Sequence, residues 1–140
     1  MGTRADFYVG RGPEAEWLGS IAWDGYDVPL ALREAQTEAD FRLQVDAFLK
    51  TRDDATWPAE GWPWPWDTSE LTDCAYAFDT NAVFEEYAGY WFSALSDNNE
   101  REVMLERGPA DLVRCTWPDM AARKKVKLGG PGSGIILISG

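Results

Sequence analysis

Apolar and polar positions alternate in several short stretches of the chain, and fall into a helical rhythm most clearly in one. Residues 5–9, Ala-Asp-Phe-Tyr-Val, and 15–23, Ala-Glu-Trp-Leu-Gly-Ser-Ile-Ala-Trp, read as two strands joined by Gly10-Arg11-Gly12-Pro13-Glu14. Glycine and proline supply the backbone angles of a turn, so an opening β-hairpin is expected. Side chains of a regular strand alternate faces, which places Trp17, Ile21 and Trp23 together on a core side and Leu18, Ser20 and Ala22 on the other. Residues 24–36, with Pro29 among them, fit either a helical turn or a connecting loop.

Thr37-Glu38-Ala39-Asp40 puts a capping hydroxyl and acidic groups into a first helical turn. Phe41, Val45, Phe48 and Leu49 then paint one stripe, which predicts a helix running to about Arg52 and packing on the sheet. Alternating Trp and Pro in Trp57-Pro58-Ala59-Glu60-Gly61-Trp62-Pro63-Trp64-Pro65-Trp66-Asp67 holds the chain extended, because each proline pushes the preceding residue out of the helical region. A second hairpin follows, with Cys74, Tyr76 and Phe78 on one strand, Asp79-Thr80-Asn81 at the bend, and residues 82–87 returning. Tyr90-Trp91-Phe92 extends the sheet. Residues 98–107 fit a helix boxed by Asp97 and Glu100 and ended by Gly108, or a strand through Val103-Met104-Leu105. Lys125-Val126-Lys127-Leu128 alternates as an exposed edge strand does, the glycines of 129–134 turn the chain, and Ile135-Ile136-Leu137-Ile138 is expected to be buried on both faces. The expected architecture is a single α+β domain over residues 1–140, an antiparallel sheet with one principal helix packed on one face.

Composition narrows the chemistry. Hydrophobic residues make up 45% of the 140, and eight are Trp, so the chain can build a core. It holds no His, which removes every histidine triad, histidine base and histidine metal site. Cys74 and Cys115 lie too far apart for a zinc or redox pair and are expected to be reduced. The opening residues lack the apolar stretch of a secretory signal, and no run approaches the ~18–20 apolar residues of a membrane span. A soluble cytoplasmic protein without membrane contact is the expectation.

Charge changes the picture more. Asp and Glu number 24 against 13 Lys and Arg, a net charge of −11, which disfavours direct contact with nucleic-acid phosphates. Between Arg52 and Arg101 there is no cation, yet Asp53, Asp54, Glu60, Asp67, Glu70, Asp73, Asp79, Glu85, Glu86, Asp97 and Glu100 all fall there. Such a stretch either keeps the protein soluble or draws in basic partners through its field. The tryptophans in it are open to two uses as well, interface anchors or a lid folded over the sheet. Arg123, Lys124, Lys125 and Lys127 form a basic cluster that suits an edge strand and answers the acidic body.

Catalytic signals are thin. Glu100-Arg101-Glu102 with Arg4 is loosely reminiscent of ADP-ribosyltransferases, but the Ser-Thr-Ser element of that family is absent. Adjacent carboxylates such as Glu85 and Glu86 point to opposite faces of a strand and cannot work as an acid and base pair. The glycines of 129–134 have no Gly-Lys-Ser or Gly-Lys-Thr after them, so they make no phosphate loop. No motif requires a cofactor or a metal.

The strings Gly2-Thr3-Arg4-Ala5-Asp6-Phe7-Tyr8-Val9-Gly10, Glu16-Trp17-Leu18-Gly19-Ser20-Ile21-Ala22-Trp23-Asp24-Gly25-Tyr26 and Trp62-Pro63-Trp64-Pro65-Trp66-Asp67 resemble small proteins of bacterial phages and other mobile elements. The resemblance brings no catalytic motif. It implies a context in which small acidic proteins bind and block host machinery, CRISPR surveillance complexes included. The expectation is a non-catalytic module, an inhibitor that mimics nucleic acid and occupies a basic groove on a protein partner. Its binding residues are expected to be Trp57, Glu60, Trp62, Trp64, Trp66, Asp67, Glu70, Asp73, Glu85 and Glu86. The competing expectation is a small-ligand or carbohydrate module, or a weak enzyme, built on the loop 57–66.

Overall fold

The computed structural model describes residues 2–127 and 135–137. The expected opening hairpin is present as β1 (Ala5–Val9) and β2 (Glu16–Ile21). Two short helices in sequence follow: α1 (Leu30–Arg33), where a helical turn was one of two readings, and α2 (Glu38–Lys50). A two-residue edge strand β3 (Ala55–Thr56) precedes the Trp-rich loop, after which come β4 (Cys74–Asp79), β5 (Ala82–Tyr87) and β6 (Tyr90–Ser93). The helical reading of residues 98–107 holds, as α3 (Asn98–Arg107), with the Asp97 and Glu100 capping box formed and Gly108 ending it. Strand β7 (Val113–Arg114) completes a seven-stranded sheet of order β3-β2-β1-β4-β5-β6-β7. All its pairings are antiparallel except β1 with β4. Strands β8 (Lys125–Lys127) and β9 (Ile135–Leu137) pair antiparallel in a separate ribbon. The expected glycine turn at 129–134 and the burial of the final strand's side chains lie outside the described residues.

The architecture is α+β, as expected, with the principal helix α2 on one face of the sheet. Thr37 Oγ1 accepts from the Asp40 amide at 3.1 Å, and the predicted stripe of Phe41, Val45 and Leu49 is buried. Each such side chain contributes ~1.5–3 kcal/mol by leaving water. Phe41 stacks on Phe78 and Phe7 on Tyr76, so the helix-side core is continuous with β1 and β4. Strand β1 is covered on both faces: Ala5 and Phe7 meet the helix layer, whereas Asp6 and Tyr8 face a second core of Trp17, Trp62, Trp91 and Met120. The Trp-rich loop supplies much of that second layer.

One expectation about β2 fails, for a local reason. Phe7 pairs with Gly19 but Tyr8 pairs with Trp17, so a bulge leaves Leu18 as an extra residue. The bulge switches faces, sending Trp17 into the tryptophan core and Ile21 into the helix-side core. Trp23, beyond the strand, is 49% exposed rather than core. Gly19 carries φ of +142°, and a Cβ there would sit 2.7 Å from Leu49 Cδ1 and 2.9 Å from the Thr56 carbonyl oxygen. Glycine at this position is what permits the switch. Among the described residues, no helix is long and apolar enough to cross a membrane.

Candidate functional site

The tryptophan face is organised around a buried carboxyl. Asp6, on a strand where alternation turns it inward, is fully buried and accepts from Ser20 Oγ at 2.6 Å, Ser69 Oγ at 2.7 Å and Trp64 Nε1 at 2.8 Å. Tyr8 OH and Ser69 Oγ lie 2.5 Å apart, and Trp17 Nε1 donates to Ser20 Oγ, so two core aromatics join the same network. Burial holds the Asp6 carboxyl above its ordinary range, against the pull of its three hydroxyl and indole donors. An aspartate inside an otherwise apolar strand was the signal in the sequence for this hub.

The network fixes the loop. Trp62 is buried edge-on to Trp17 and donates Nε1 to the Trp66 carbonyl at 2.6 Å. Trp64 and Trp66 stack with centroids 5.7 Å apart, half-buried, and Trp66 Nε1 donates to Thr72 Oγ1. Trp57 packs half-buried against the helix-side core instead. Of the four tryptophans expected to bind a partner, Trp64 and Trp66 therefore sit together at the surface of this face. Trp62 lies beneath and offers no free surface.

The acids disperse as well. Glu60 and Glu70 are exposed without an ion pair among the described residues, the Glu60 carboxylate accepting from the Trp57 amide at 2.8 Å. Asp67 pairs with Lys124 at 2.6 Å while remaining 57% exposed, and Asp73 pairs with Arg4 at 2.9 Å. The Arg4 guanidinium beside it holds the Asp73 carboxyl below the usual range, and also lies over the Trp66 ring. Glu85, expected at the interface, is buried, and Glu86 is half-buried and accepts from the Gly89 amide. Strand β5 passes Glu85 under α1 and α3, where two arginines claim it. The acidic run thus divides: Glu60, Asp67 and Glu70 stay exposed, whereas Glu85 is buried and Glu86 half-buried.

Sequence reasoning missed the polar cavity that results. Its volume is about 540 Å³, between the start of α3, the β5 end of the sheet and the segment carrying Tyr26. On its floor, Arg33 Nη1 and Arg101 Nη2 both donate to Glu85 Oε1, at 2.8 and 3.0 Å. Arg33 spends its remaining donors on the carbonyls of Tyr26, Val28 and Ala94 and on Tyr76 OH. Arg101 Nε donates to Ser96 Oγ and Nη2 also to the Ser93 carbonyl, and its Nη1 has no partner among the described residues. Arg101 is the one buried residue of α3, a position that a charge in an exposed helix hardly advertises.

Electrostatics across the described molecule are lopsided. Arg4, Arg11, Arg33, Arg42, Lys50, Arg52, Arg101 and Lys124 are all in ion pairs. Arg107, Arg114 and Arg123 are the cations outside them among the described side chains. Burial pushes the thiols of Cys74 and Cys115 up, so neither is a ready nucleophile. Among the described residues no three or more Asp, Glu or Cys side chains gather as a metal site. Comparison with protein-family models, curated proteins and solved structures finds no match to the chain.

Proposed function

We propose that the protein is a non-catalytic binding module whose acidic, tryptophan-bearing face occupies a basic groove on a partner protein, in the manner of a nucleic-acid mimic. The observation that carries this reading is the consumption of cations by internal ion pairs, which leaves carboxylates such as Glu60 and Glu70 unanswered at the surface. A field of that sign speeds encounter with basic proteins and repels nucleic acid itself.

The stacked Trp64 and Trp66 support the same reading. Their indole N–H groups are bound internally and their rings are held before any partner arrives, so little side-chain entropy remains to be lost on binding. Half-exposed aromatic anchors rimmed by charge are the usual make-up of a binding hot spot. The resemblance to proteins of phages and mobile elements favours an inhibitor of host nucleic-acid-handling machinery, including CRISPR complexes.

Joint charge reversal of Glu60, Asp67 and Glu70 to Lys, measured against a basic nucleic-acid-binding partner, is expected to weaken association by about tenfold or more. Trp64→Ala, with the charges intact, is expected to raise the dissociation rate with little change in the association rate. Unchanged affinity in both variants would remove this face from the interface.

A further inference from the structure

The floor of the polar cavity carries an imbalance that the acidic-face reading does not use. Two guanidinium groups, Arg33 and Arg101, converge on one carboxylate, Glu85. The Arg101 and Glu85 side chains are each only 4% exposed, and Arg33 is 17% exposed. Charges taken this far out of water are ordinarily matched one for one, because an unmatched buried ion is costly. Here two guanidiniums share one fully buried carboxylate, and the next carboxylate within electrostatic reach of Arg101 is the half-buried Glu86. Arg101 Nη1 is the donor left over, and Arg101 lines the cavity. A ligand anion at that nitrogen would complete the set.

The lining around Arg101 adds carboxylate and aromatic groups, the Tyr87 ring centroid lying 5.6 Å from the Arg101 guanidinium carbon. Glu86 and the ring of Tyr87 line the cavity, with Tyr26, 61% exposed, at its mouth. Glu102, outside the lining, accepts from Tyr87 OH at 2.7 Å. Asp73 is in the lining too, already answered by Arg4. Carboxylates beside aromatic rings favour a cation and disfavour a second anionic group. The screening length of ~8 Å at physiological salt confines the contest to these near neighbours, so the remote acids of the molecule do not decide it.

We propose that this cavity binds a free α-amino acid as its zwitterion, the carboxylate on Arg101 and the ammonium among Glu86, Tyr26 and Tyr87. The volume of about 540 Å³ lies in the range of small-molecule sites and leaves room for a side chain. Ser96 and Asn98, also in the lining, offer polar groups along one wall. This site is independent of the tryptophan face, and either can fail without the other.

The test is titration of the isotope-labelled protein with the standard amino acids, following the Arg101 side-chain N–H and the Tyr26 and Tyr87 ring signals by NMR. At least one amino acid is expected to move all three sets together. Its carboxamide, which lacks the anion, and its N-acetyl derivative, which lacks the cation, are each expected to bind about tenfold more weakly or worse, the size of one lost charge-assisted hydrogen bond. Tyr26→Ala, a change at an exposed position that should leave folding intact, is expected to weaken binding without abolishing it. No movement of the cavity signals with any amino acid would overturn the proposal. So would equal binding of the carboxamide or the N-acetyl form, or binding indifferent to Tyr26→Ala.

Discussion

Asp6 is the residue on which the second core turns. Its carboxyl is buried and raised above the ordinary aspartate range by loss of water, so the folded state holds its proton to higher pH than the unfolded chain. Between the unfolded value near ~3.9 and the higher folded value, the folded protein binds the extra proton, and stability from this group falls as pH rises through that window. Asp73 and Glu16 act in the opposite sense. Arg4 and Arg42 hold their carboxyls low, so their contribution is present at neutral pH and is lost as pH falls through the folded values. Asp6→Asn isolates the first effect, since the amide oxygen can still accept from Ser20 and Trp64 while the amide nitrogen faces Ser69. Urea unfolding across the range from pH 4 to 8 is expected to show the variant gaining on the native protein as pH rises. A stability difference that stays constant with pH, or a variant that loses ground on the native protein as pH rises, would contradict the burial of a carboxyl with a raised pKa.

At the scale of elements, α2 and α3 make a contrast. Helix α2 buries Phe41, Val45 and Leu49, whereas α3 buries only Arg101 and leaves Val103 and Met104 over 40% exposed. A helix held by one charged side chain and its capping box opens at lower cost than one held by an apolar stripe. Amide hydrogen exchange is therefore expected to be faster through α3 than through α2. Asp97→Ala, which removes the bond from the Glu100 amide at 2.8 Å, is expected to cost about 1 kcal/mol and to speed exchange in α3 alone. Uniform protection of the two helices would show that α3 has support beyond Arg101. The same contrast explains which elements were legible. The stripe and cap of α2, the hairpin alternation of β4 and β5, and the capping box of α3 are local signals. The bulge at Gly19 is set by what crosses β2, namely Leu49 and the Thr56 backbone, so period-two counting put Ile21 and Trp17 on one face when they occupy two.

At the scale of the whole molecule, fold class followed from these local patterns, but the candidate site did so only in part. The chain from Arg52 to Arg101 carries acids without bases, and its acids meet arginines drawn from elsewhere: Arg4 with Asp73, Arg11 with Asp79, and Arg33 with Glu85. Those pairings span the sheet and depend on tertiary contacts, which a linear count of charge does not register. They also sharpen the proposed function. The exposed carboxylates without an ion pair include Glu60 and Glu70 beside the loop, and the aromatic contribution narrows to Trp64 and Trp66. The cavity floor was illegible for the same reason, since Arg33, Glu85 and Arg101 meet only after α1, β5 and α3 have packed.

Competition with nucleic acid tests the central claim most directly. The tagged protein is incubated with a cell lysate, with and without nuclease treatment, and retained proteins are eluted in a salt series alongside the Glu60, Asp67 and Glu70 charge-reversal variant. The account predicts retention of a nucleic-acid-binding protein that increases when nucleic acid is digested, is released by moderate salt, and is lost in the variant. Retention of the same proteins by native and variant chains, unaffected by nuclease and salt, would contradict it.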